Sequence, residues 1–453
     1  MNRLFIFDQT TVNMRLYILL FLVFFSVHSF AQHKNIKLDE QTEINKVAEP
    51  SIAINHKDPN NIVAASVLDN IYTTKDGGLT WRKIKVTSPS GMYGDPVLIS
   101  TDKGTFYYFH RSDPTGEGSR NEKNLDHIVC HESNDGGLTW DEGSIIGSNP
   151  PKDQDKPWAS LDDKGNLVVT WTQFDKYNNT DPNCQSLILL SASSNGKKWS
   201  KPLQISQTPG NCSDDGNTAK GGMPAISGDG KMFVSWSNQG KIFLDRSFDG
   251  NMWLTNDIAV TEQKGGWNFK VPGHDRCNGL PILMIDKSKS HYRGSLYLTF
   301  SDQRNGANNT DVWFMRSVNY GDNWTSPMKM GIDSVGQHQY LPWMTVDQTT
   351  GYIYIVYYDR RNYADNQTDV YLSYSIDGGS SFKNVKISES PFMPTDANFF
   401  GDYINVYAHK GIITPIWTRM DNGKTSVWTS VIKQEDLFKP KPQQKAVKGK
   451  KKK

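Results

Sequence analysis

A tryptophan-containing turn recurs along the chain at a nearly constant spacing. The segment Asp-Gly-Gly-Leu-Thr-Trp stands at residues 76–81 and again at 135–140. Looser copies of the turn end at Trp199, Trp253, Trp324 and Phe382. A repeat of roughly 55 to 70 residues indicates supersecondary units that bury a core only by stacking on their neighbours. The chain is therefore predicted to fold as a repeat protein.

A second repeated element marks the first strand of each unit. Six short apolar segments open with a proline, which a strand tolerates at its first residue. These prolines are Pro50, Pro96, Pro157, Pro224, Pro281 and Pro342, and a seventh segment at 402–405 lacks one. Each is followed by a second apolar run, a third strand entering the Asp-Gly turn and a short fourth strand.

Four strands per unit in meander order are typical of a propeller blade. We predict an all-β fold, a seven-bladed β-propeller of four-stranded antiparallel blades, with six blades as the alternative. The seventh unit has only three strands of its own. Residues 35–38 are predicted to supply its outer strand, so that an N-terminal strand closes the ring.

The two ends of the chain differ in composition from its body. Arg15 precedes an apolar run at 16–27 and small residues near Ala31, which is typical of a secretory signal peptide. Residues 439–453 contain eight lysines and no acid, which predicts a disordered tail. We expect a signal peptide at 1–31, one propeller domain at 32–438, and a secreted or periplasmic protein without a membrane span.

Four cysteines remain after removal of the predicted leader. An even number in an exported chain indicates disulfides. Cys184 and Cys212 are the favoured pair because both fall in polar loops of one repeat. The pairing of Cys130 and Cys277 stays open, and no His/Cys cluster indicates structural zinc.

The repeated turns are the Asp-box, or BNR, motif, and the chain resembles the sialidase superfamily from about Glu49 to Trp428. Segments 49–55 and 58–65 are similar to exported bacterial sialidase-like proteins. The resemblance implies a six-bladed exo-sialidase with an arginine triad, a Tyr–Glu nucleophile pair and an aspartate acid/base. The Phe/Tyr-Arg-Ile-Pro motif of that superfamily has no counterpart, because residues 48–51 read Ala-Glu-Pro-Ser.

Aligning the seven first-strand segments on their prolines predicts which side chains surround the mouth of the channel. Glu49 precedes the proline of the first unit, Asp95 that of the second, and Asp402 takes this place in the seventh. These units are neighbours in a closed ring, so the acids form one contiguous sector. Crowded carboxylates raise one carboxyl pKa into the range of a general acid, which makes the three candidate catalytic groups. Tyr403 and His110 are further candidates, as nucleophile or proton shuttle.

Arginines at the ends of the second strands are candidate substrate-binding groups. Arg111 and Arg419 fall beside the acidic sector, and Arg304 and Arg361 fall on the fifth and sixth units. Trp158 opens its strand beside the mouth, where its ring is placed to stack on a sugar. We predict an exported, monomeric glycoside hydrolase that acts on acidic or complex glycans.

Other interpretations of the same residues stay open. The acids and arginines can pair with one another to satisfy partly buried charges, or the acidic sector can hold Ca²⁺. No other cofactor and no nucleic-acid partner is predicted. A non-catalytic propeller can bind glycans or proteins through the same face. A polysaccharide lyase, as in propellers resembling ulvan lyases, would use His and Tyr for proton abstraction, and His110, His127 and Tyr177 lie in suitable loops.

Overall fold

The chain forms a ring of seven antiparallel sheets around a central channel. The structure is a computed structural model that describes residues 33–117, 125–331, 337–396 and 398–439. The all-β fold and the seven blades predicted from the repeats are confirmed. The predicted leader and the tail beyond Lys439 lie outside the described residues.

The strands are numbered along the chain from β1 (Ile36–Glu40), and each blade lists its strands from the channel outward. Blade one contains β2 (Ser51–Ile54), β3 (Ile62–Ser66), β4 (Asn70–Thr74) and β5 (Arg82–Lys85). Blade two contains β6 (Val97–Ser100), β7 (Phe106–Arg111), β8 (Ile128–Ser133) and β9 (Ser144–Ile146). Blade three contains β10 (Asp153–Leu161), β11 (Leu167–Phe174), β12 (Ser186–Ser193) and β13 (Leu203–Gln204).

The fourth and fifth blades are separated by an inserted hairpin. Blade four contains β14 (Lys220–Ile226), β15 (Met232–Asn238), β16 (Lys241–Ser247) and β17 (Ile258–Glu262). The hairpin pairs β18 (Asn268–Val271) with β19 (His274–Asn278). Blade five contains β20 (Ile282–Ile285), β21 (Leu296–Asp302), β22 (Asp311–Ser317) and β23 (Met328–Lys329).

The last two blades bring the chain back to its start. Blade six contains β24 (Gln339–Asp347), β25 (Tyr352–Asp359), β26 (Asp369–Ser375) and β27 (Lys383–Lys386). Blade seven contains β28 (Asn405–His409), β29 (Ile412–Asp421) and β30 (Lys424–Thr429). A short β31 (Ile432–Lys433) pairs with β29 and leads into a helix, α1 (Gln434–Phe438).

The ring closes through the N-terminal strand. β1 pairs antiparallel with β30, with Ile36 opposite Thr429 and Glu40 opposite Ser426, so β1 is the outer strand of blade seven. The inner strand β2 of blade one packs against β28 of blade seven. The predicted closure by an N-terminal strand is therefore confirmed. A closed ring also removes the exposed sheet edges that would otherwise pair with other chains.

The Asp-box turn is a hydrogen-bonded cap between the third and fourth strands. In blade six, Asp377 Oδ1 accepts bonds from the Ser381 amide at 2.9 Å and the Ser375 hydroxyl at 2.8 Å. The Ser375 oxygen in turn accepts the Gly379 amide at 2.9 Å. Gly378 and Gly379 have φ of 65° and 80°, a left-handed backbone that glycine adopts without steric cost. The sequence of the motif thus serves the turn itself.

Replacing the buried turn hydroxyl in Ser375→Ala is expected to lower the free energy of unfolding by about 1–2 kcal/mol, because the Gly379 amide loses its acceptor. Urea denaturation would measure the change. The matched control is Ser380→Ala, whose exposed hydroxyl donates to the Asp377 carbonyl and accepts a 3.3 Å bond from Arg316 Nη1. Because both bonds are exposed to solvent, its loss should change stability by less than about 0.5 kcal/mol. Equal effects of the two substitutions would contradict this account of the turn.

The cysteines divide into a bonded pair and two free thiols. Cys184 and Cys212 form a disulfide that links two loops of blade three, the pair favoured by the sequence. Cys130 and Cys277 are free and buried. Among the residues that the structure describes, no helix is long and apolar enough to cross a membrane.

Candidate functional site

A cavity of about 380 Å³ opens over the channel at the face where the long loops gather. The loop after β7 contributes Leu125, the loop after β11 contributes Tyr177, and β19 of the inserted hairpin contributes Arg276. Most of the polar lining is ionic. Charged lining residues include Glu49, Arg111, Asp155, Lys156, Arg276 and Asp402.

The three acids selected from the sequence meet at one ammonium group. Lys156 Nζ lies 3.3 Å from Glu49 Oε1, 2.8 Å from Asp95 Oδ1 and 2.6 Å from Asp402 Oδ2. The backbone amide of Asp402 also donates to Glu49 Oε1 at 3.2 Å. All four residues are at least 97% buried. The structure therefore brings Glu49, Asp95 and Asp402 together, with Lys156 between them.

An unusual backbone conformation aims these side chains at the channel axis. Glu49, Asp95 and Lys156 precede their opener prolines with φ of 50°, 52° and 52°. A left-handed φ on a residue with a side chain costs of order 1–3 kcal/mol and persists only where surrounding contacts impose it. Leu341, before the proline of blade six, has the same conformation with a φ of 50°, so the conformation belongs to the turn before the proline and does not depend on the charged side chains.

The ion pairs continue from Asp95 towards blade three. Arg111 Nε lies 2.6 Å from Asp95 Oδ2, an ion pair without the alignment of a hydrogen bond. Arg111 Nη1 contacts Asp155 Oδ1 on the other side. Consecutive residues of a strand normally point to opposite faces, but a bulge between Asp155 and Trp158 interrupts β10. The bulge lets both Asp155 and Lys156 reach the cavity.

A second lysine and a second arginine connect these ion pairs into a closed ring. Lys220 Nζ contacts Asp155 Oδ2 and lies 2.6 Å from Asp214 Oδ1. Arg276 Nη2 lies 2.8 Å from Asp214 Oδ2 and 3.4 Å from Asp402 Oδ2. Four cations and four carboxylates thus alternate in a closed ring, which we call the ionic ring. Its members in order are Lys156, Asp95, Arg111, Asp155, Lys220, Asp214, Arg276 and Asp402.

Glu49 is a fifth carboxyl beside this balanced ring. Burial raises the pKa of Glu49 from 4.5 to about 7, and it prevails over Lys156, which lowers the pKa, while Asp95 and Asp402 raise it further and Arg111 lowers it. Asp402 is shifted the other way. Burial alone would raise its pKa, but Arg276 and Lys156 hold the pKa of the Asp402 carboxyl well below its usual range. Two neighbouring carboxyls therefore differ in protonation near neutral pH.

The raised pKa of Glu49 makes stability depend on pH. The folded protein binds this proton more tightly than the unfolded chain, whose glutamate titrates near 4.5. The contribution is therefore fully present below pH 4.5 and is lost as pH rises through 7. Relative to Glu49→Gln, which stays neutral, we expect wild-type stability to fall by about 2–3 kcal/mol across this range. Urea titrations of both proteins at several pH values measure it, and a difference independent of pH would contradict it.

Tyr403 and Trp158 lie in the channel beneath the ionic ring. Lys156 Nζ is 5.2 Å from the centre of the Tyr403 ring, and burial raises the pKa of that phenol well above its usual value. The Trp158 ring packs 4.9 Å from Tyr403 and 4.5 Å from Trp343, and it is 4% exposed. An indole enclosed in this way offers no open face to a sugar, so its predicted stacking role is not supported.

His110 faces away from the cavity. It precedes Arg111 on β7, and alternation along the strand sends the two side chains to opposite faces. His110 Nε2 lies 2.9 Å from His131 Nε2, and burial lowers the pKa of His110 to about 3. The predicted proton-shuttle role therefore lacks access to the cavity.

The other three predicted arginines make local pairs with aspartates of their own blades. Arg304 binds Asp302 at 2.8 Å, Arg361 contacts Asp359, and Arg419 binds Asp421 at 2.5 Å. None of the three lines the cavity. Each aspartate is separated from its arginine by one residue, so the pairing is local. Of the predicted substrate-binding arginines, Arg111 alone lies at the site.

The groups proposed for lyase chemistry are separated. Tyr177 lines the cavity, donates to Asp214 Oδ2 at 2.7 Å, and burial raises its pKa to about 12. His110 and His127 do not line this cavity. A tyrosine without a histidine partner leaves the lyase alternative unsupported.

The position between the acids that a calcium ion would need is taken by Lys156. Its Nζ contacts one oxygen from each of the three carboxylates. Within the described ranges, no group of three or more His, Cys, Asp or Glu side chains is arranged to hold a metal.

The candidate residues chosen from the sequence include three of the eight members of the ionic ring and leave out Lys156, Asp155, Lys220, Asp214 and Arg276. Lys156 precedes the proline of the third unit, as Glu49 and Asp95 precede those of the first two. Its position beside these acids could therefore be inferred from the repeat. Lys220 reaches the cavity from the start of β14, and Asp214 and Arg276 come from an irregular loop and the inserted hairpin. No repeat signal marks these three positions.

Comparisons with known proteins find similar structures at low sequence identity. The Hadza microbial sialidase Hz136 is 14% identical, with a TM-score of 0.48 over 83% of this chain and 73% of that one. The GH93 α-L-arabinofuranosidase of Fusarium graminearum is 14% identical, with a TM-score of 0.49 over 90% and 100%. The α-L-arabinanase of Penicillium chrysogenum is 15% identical, with a TM-score of 0.46 over 88% and 98%. No protein-family model and no curated protein matches the chain.

Proposed function

We propose that the protein is an exported, monomeric glycoside hydrolase whose active site is the cavity at the ionic ring. The observation that carries this proposal is the opposed pKa shift of two adjacent buried carboxyls. The pKa of Glu49 is raised to about 7, and that of Asp402 is lowered. Environments that drive two carboxyls apart in this way supply an acid and a carboxylate at the same pH.

Glu49 is the proposed general acid, and Asp402 is the proposed nucleophile or stabiliser of the sugar cation. Both carboxyls line the cavity, and both contact Lys156 Nζ, at 3.3 Å and 2.6 Å. Two oxygens that share one nitrogen at these distances are compatible with the separation of about 5–5.5 Å found in retaining glycosidases. The rest of the ionic ring holds the pair rigidly in place.

The lining of the cavity suits a sugar that carries a negative charge. Tyr93, Tyr177 and Phe399 supply aromatic rings on which a pyranose can stack. The side chains of Arg276 and Lys176 remain 32% and 48% exposed, so an anionic group entering the cavity can reach them. Acidic glycans are therefore the proposed substrate class.

Hydrolysis of defined glycans tests the proposal. The full chain would be incubated with acidic and neutral polysaccharides and with aryl glycosides, and new reducing ends or released aryl groups would be measured. Release from an acidic glycan that is abolished in Glu49→Gln but retained in Asp302→Asn is expected. Asp302 is a suitable control because it is a buried carboxyl outside the cavity.

A non-catalytic glycan- or protein-binding propeller is the second candidate. It is favoured by the balance of the ionic ring, in which every cation already contacts a carboxylate. Such a ring can exist for rigidity alone. Saturable glycan binding by the wild type, equal binding by Glu49→Gln, and no product from any substrate would support it over the hydrolase.

A further inference from the structure

Arg360 is a buried guanidinium without an ion-pair partner among the described residues. It follows β25 in blade six and is 2% exposed. Its hydrogen bonds go to neutral oxygens: Nε to Thr368 Oγ1 at 3.0 Å, Nη1 to Asn366 Oδ1 at 3.3 Å, and Nη2 to the Tyr340 hydroxyl at 3.2 Å. A buried charge normally has a counter-charge, because removing it from water is costly.

A histidine with unsatisfied ring nitrogens lies beside this arginine. His274, in β19, is 4% exposed, and its ring packs 6.0 Å from Tyr340, the same tyrosine that Arg360 contacts. The Gly401 carbonyl approaches the ring, but neither Nδ1 nor Nε2 has a hydrogen bond of normal geometry. Buried polar groups nearly always find a partner, so a missing ligand is the simplest explanation.

The charged groups around Arg360 and His274 are of both signs. His338, on the same side of blade six, also has a lowered pKa, caused by burial and by the charge of Arg360. Asp365, in the loop after β25, is exposed to solvent, and its carboxylate accepts bonds from Gln367. Burial lowers the pKa of His274, Asp402 raises it, and Arg360 and Arg276 lower it further. No carboxylate of the described residues forms an ion pair with the Arg360 guanidinium.

We propose that a small monovalent anion of the halide class, such as chloride, binds between the Arg360 guanidinium and the His274 imidazole. The anion supplies the missing counter-charge and accepts the ring N–H of His274. Its small size suits a site that is enclosed by the Tyr340 and Phe400 rings. This inference is independent of the proposed hydrolase activity.

The site would link the inserted hairpin to blade six. His274 belongs to the hairpin that carries Arg276 into the cavity, whereas Arg360 and Asn366 belong to the loop after β25. The hairpin turn is already close to that loop, since a Cβ added at Gly273 would lie 3.3 Å from Asn366 Nδ2. An anion here therefore holds the element that positions Arg276.

Bromide soaking and chloride-dependent melting test the proposal on the full chain. Crystals soaked in sodium bromide should give an anomalous difference peak between Arg360 and His274. In solution, replacing sodium gluconate by sodium chloride at constant ionic strength should raise the melting temperature by about 2–4 °C. Arg360→Met should lose this increase.

The control is Arg304→Met, which removes an arginine that follows the second strand of blade five. Arg304 already binds Asp302, so this variant should keep the full chloride response. If Arg360→Met fails to fold, the bromide experiment on the wild type decides alone. Absence of the peak, or electron density for water or a protein carboxylate at that position, would overturn the proposal.

Discussion

Replacing Lys156 by methionine should lower the free energy of unfolding by about 3–5 kcal/mol at neutral pH. The ammonium group is the shared partner of Glu49, Asp95 and Asp402, all of which are buried. Methionine has a similar length but no charge, so the acids would remain out of water without compensation. This loss exceeds that of an ordinary ion pair because one cation serves three carboxylates.

The loss of unfolding free energy in Lys156→Met should be larger at high pH than at low pH. Without the ammonium group, the pKa values of Glu49 and Asp402 rise, because Lys156 lowers both, and protonation removes their uncompensated charge. The variant should therefore be weakest near pH 8 and recover towards pH 5. Denaturant titrations at both pH values measure this change. Lys176→Met is the control, because Lys176 is half exposed and pairs only with Asp153, and its loss should cost about 0–1 kcal/mol. Similar losses for the two variants would show that Lys156 is not central.

The fold was predictable because its repeats have local physical causes. The Asp-box turn satisfies its own backbone donors, as at Asp377. The repeated proline marks each inner strand: it directly precedes β2, β6 and β20, and it lies within β10, β14 and β24, where the strand starts earlier than predicted. Both signals can be recognised without knowledge of the rest of the molecule. Closure by β1 was also inferable, since blade seven lacked an outer strand and residues 35–38 had the required pattern.

The site was only partly predictable, for reasons that differ between residues. Glu49, Asp95 and Asp402 follow from symmetry, because equivalent positions of neighbouring blades must meet at the axis. Arg276 does not, because it belongs to a hairpin that interrupts the repeat.

Three arginines were misplaced because their pairing is decided locally. Arg304, Arg361 and Arg419 each lie two residues from an aspartate and pair with it. Arg111 also has an aspartate two residues away, Asp113, but its ion pairs in the described structure go to Asp95 and Asp155 at the cavity. Sequence spacing alone therefore does not separate the two cases.

The opposed carboxyls lead to the second large effect, a loss of turnover in Glu49→Gln and in Asp402→Asn. Removing a general acid lowers the rate by about 10²–10⁴-fold. With Glu49 as the acid, wild-type kcat should fall as pH rises above about 7, because the proton that Glu49 donates is then lost. In Glu49→Gln, the residual kcat should no longer fall as pH rises above about 7. If Glu49 had only a structural role, the pH dependence of kcat would be the same in the variant and the wild type.

The remaining outcomes of the same kinetic experiment assign the two carboxyls separately. Proton NMR of the first product should show retained anomeric configuration, as expected for carboxyls about 5–5.5 Å apart. Azide should restore turnover to the variant that lacks the nucleophile, Asp402→Asn, and yield a glycosyl azide of inverted configuration. Asp302→Asn, which changes a buried carboxyl of blade five, should keep near wild-type kcat. Unchanged kcat in Glu49→Gln would remove Glu49 from the mechanism, and a glycosyl azide of inverted configuration formed by that variant would exchange the two roles.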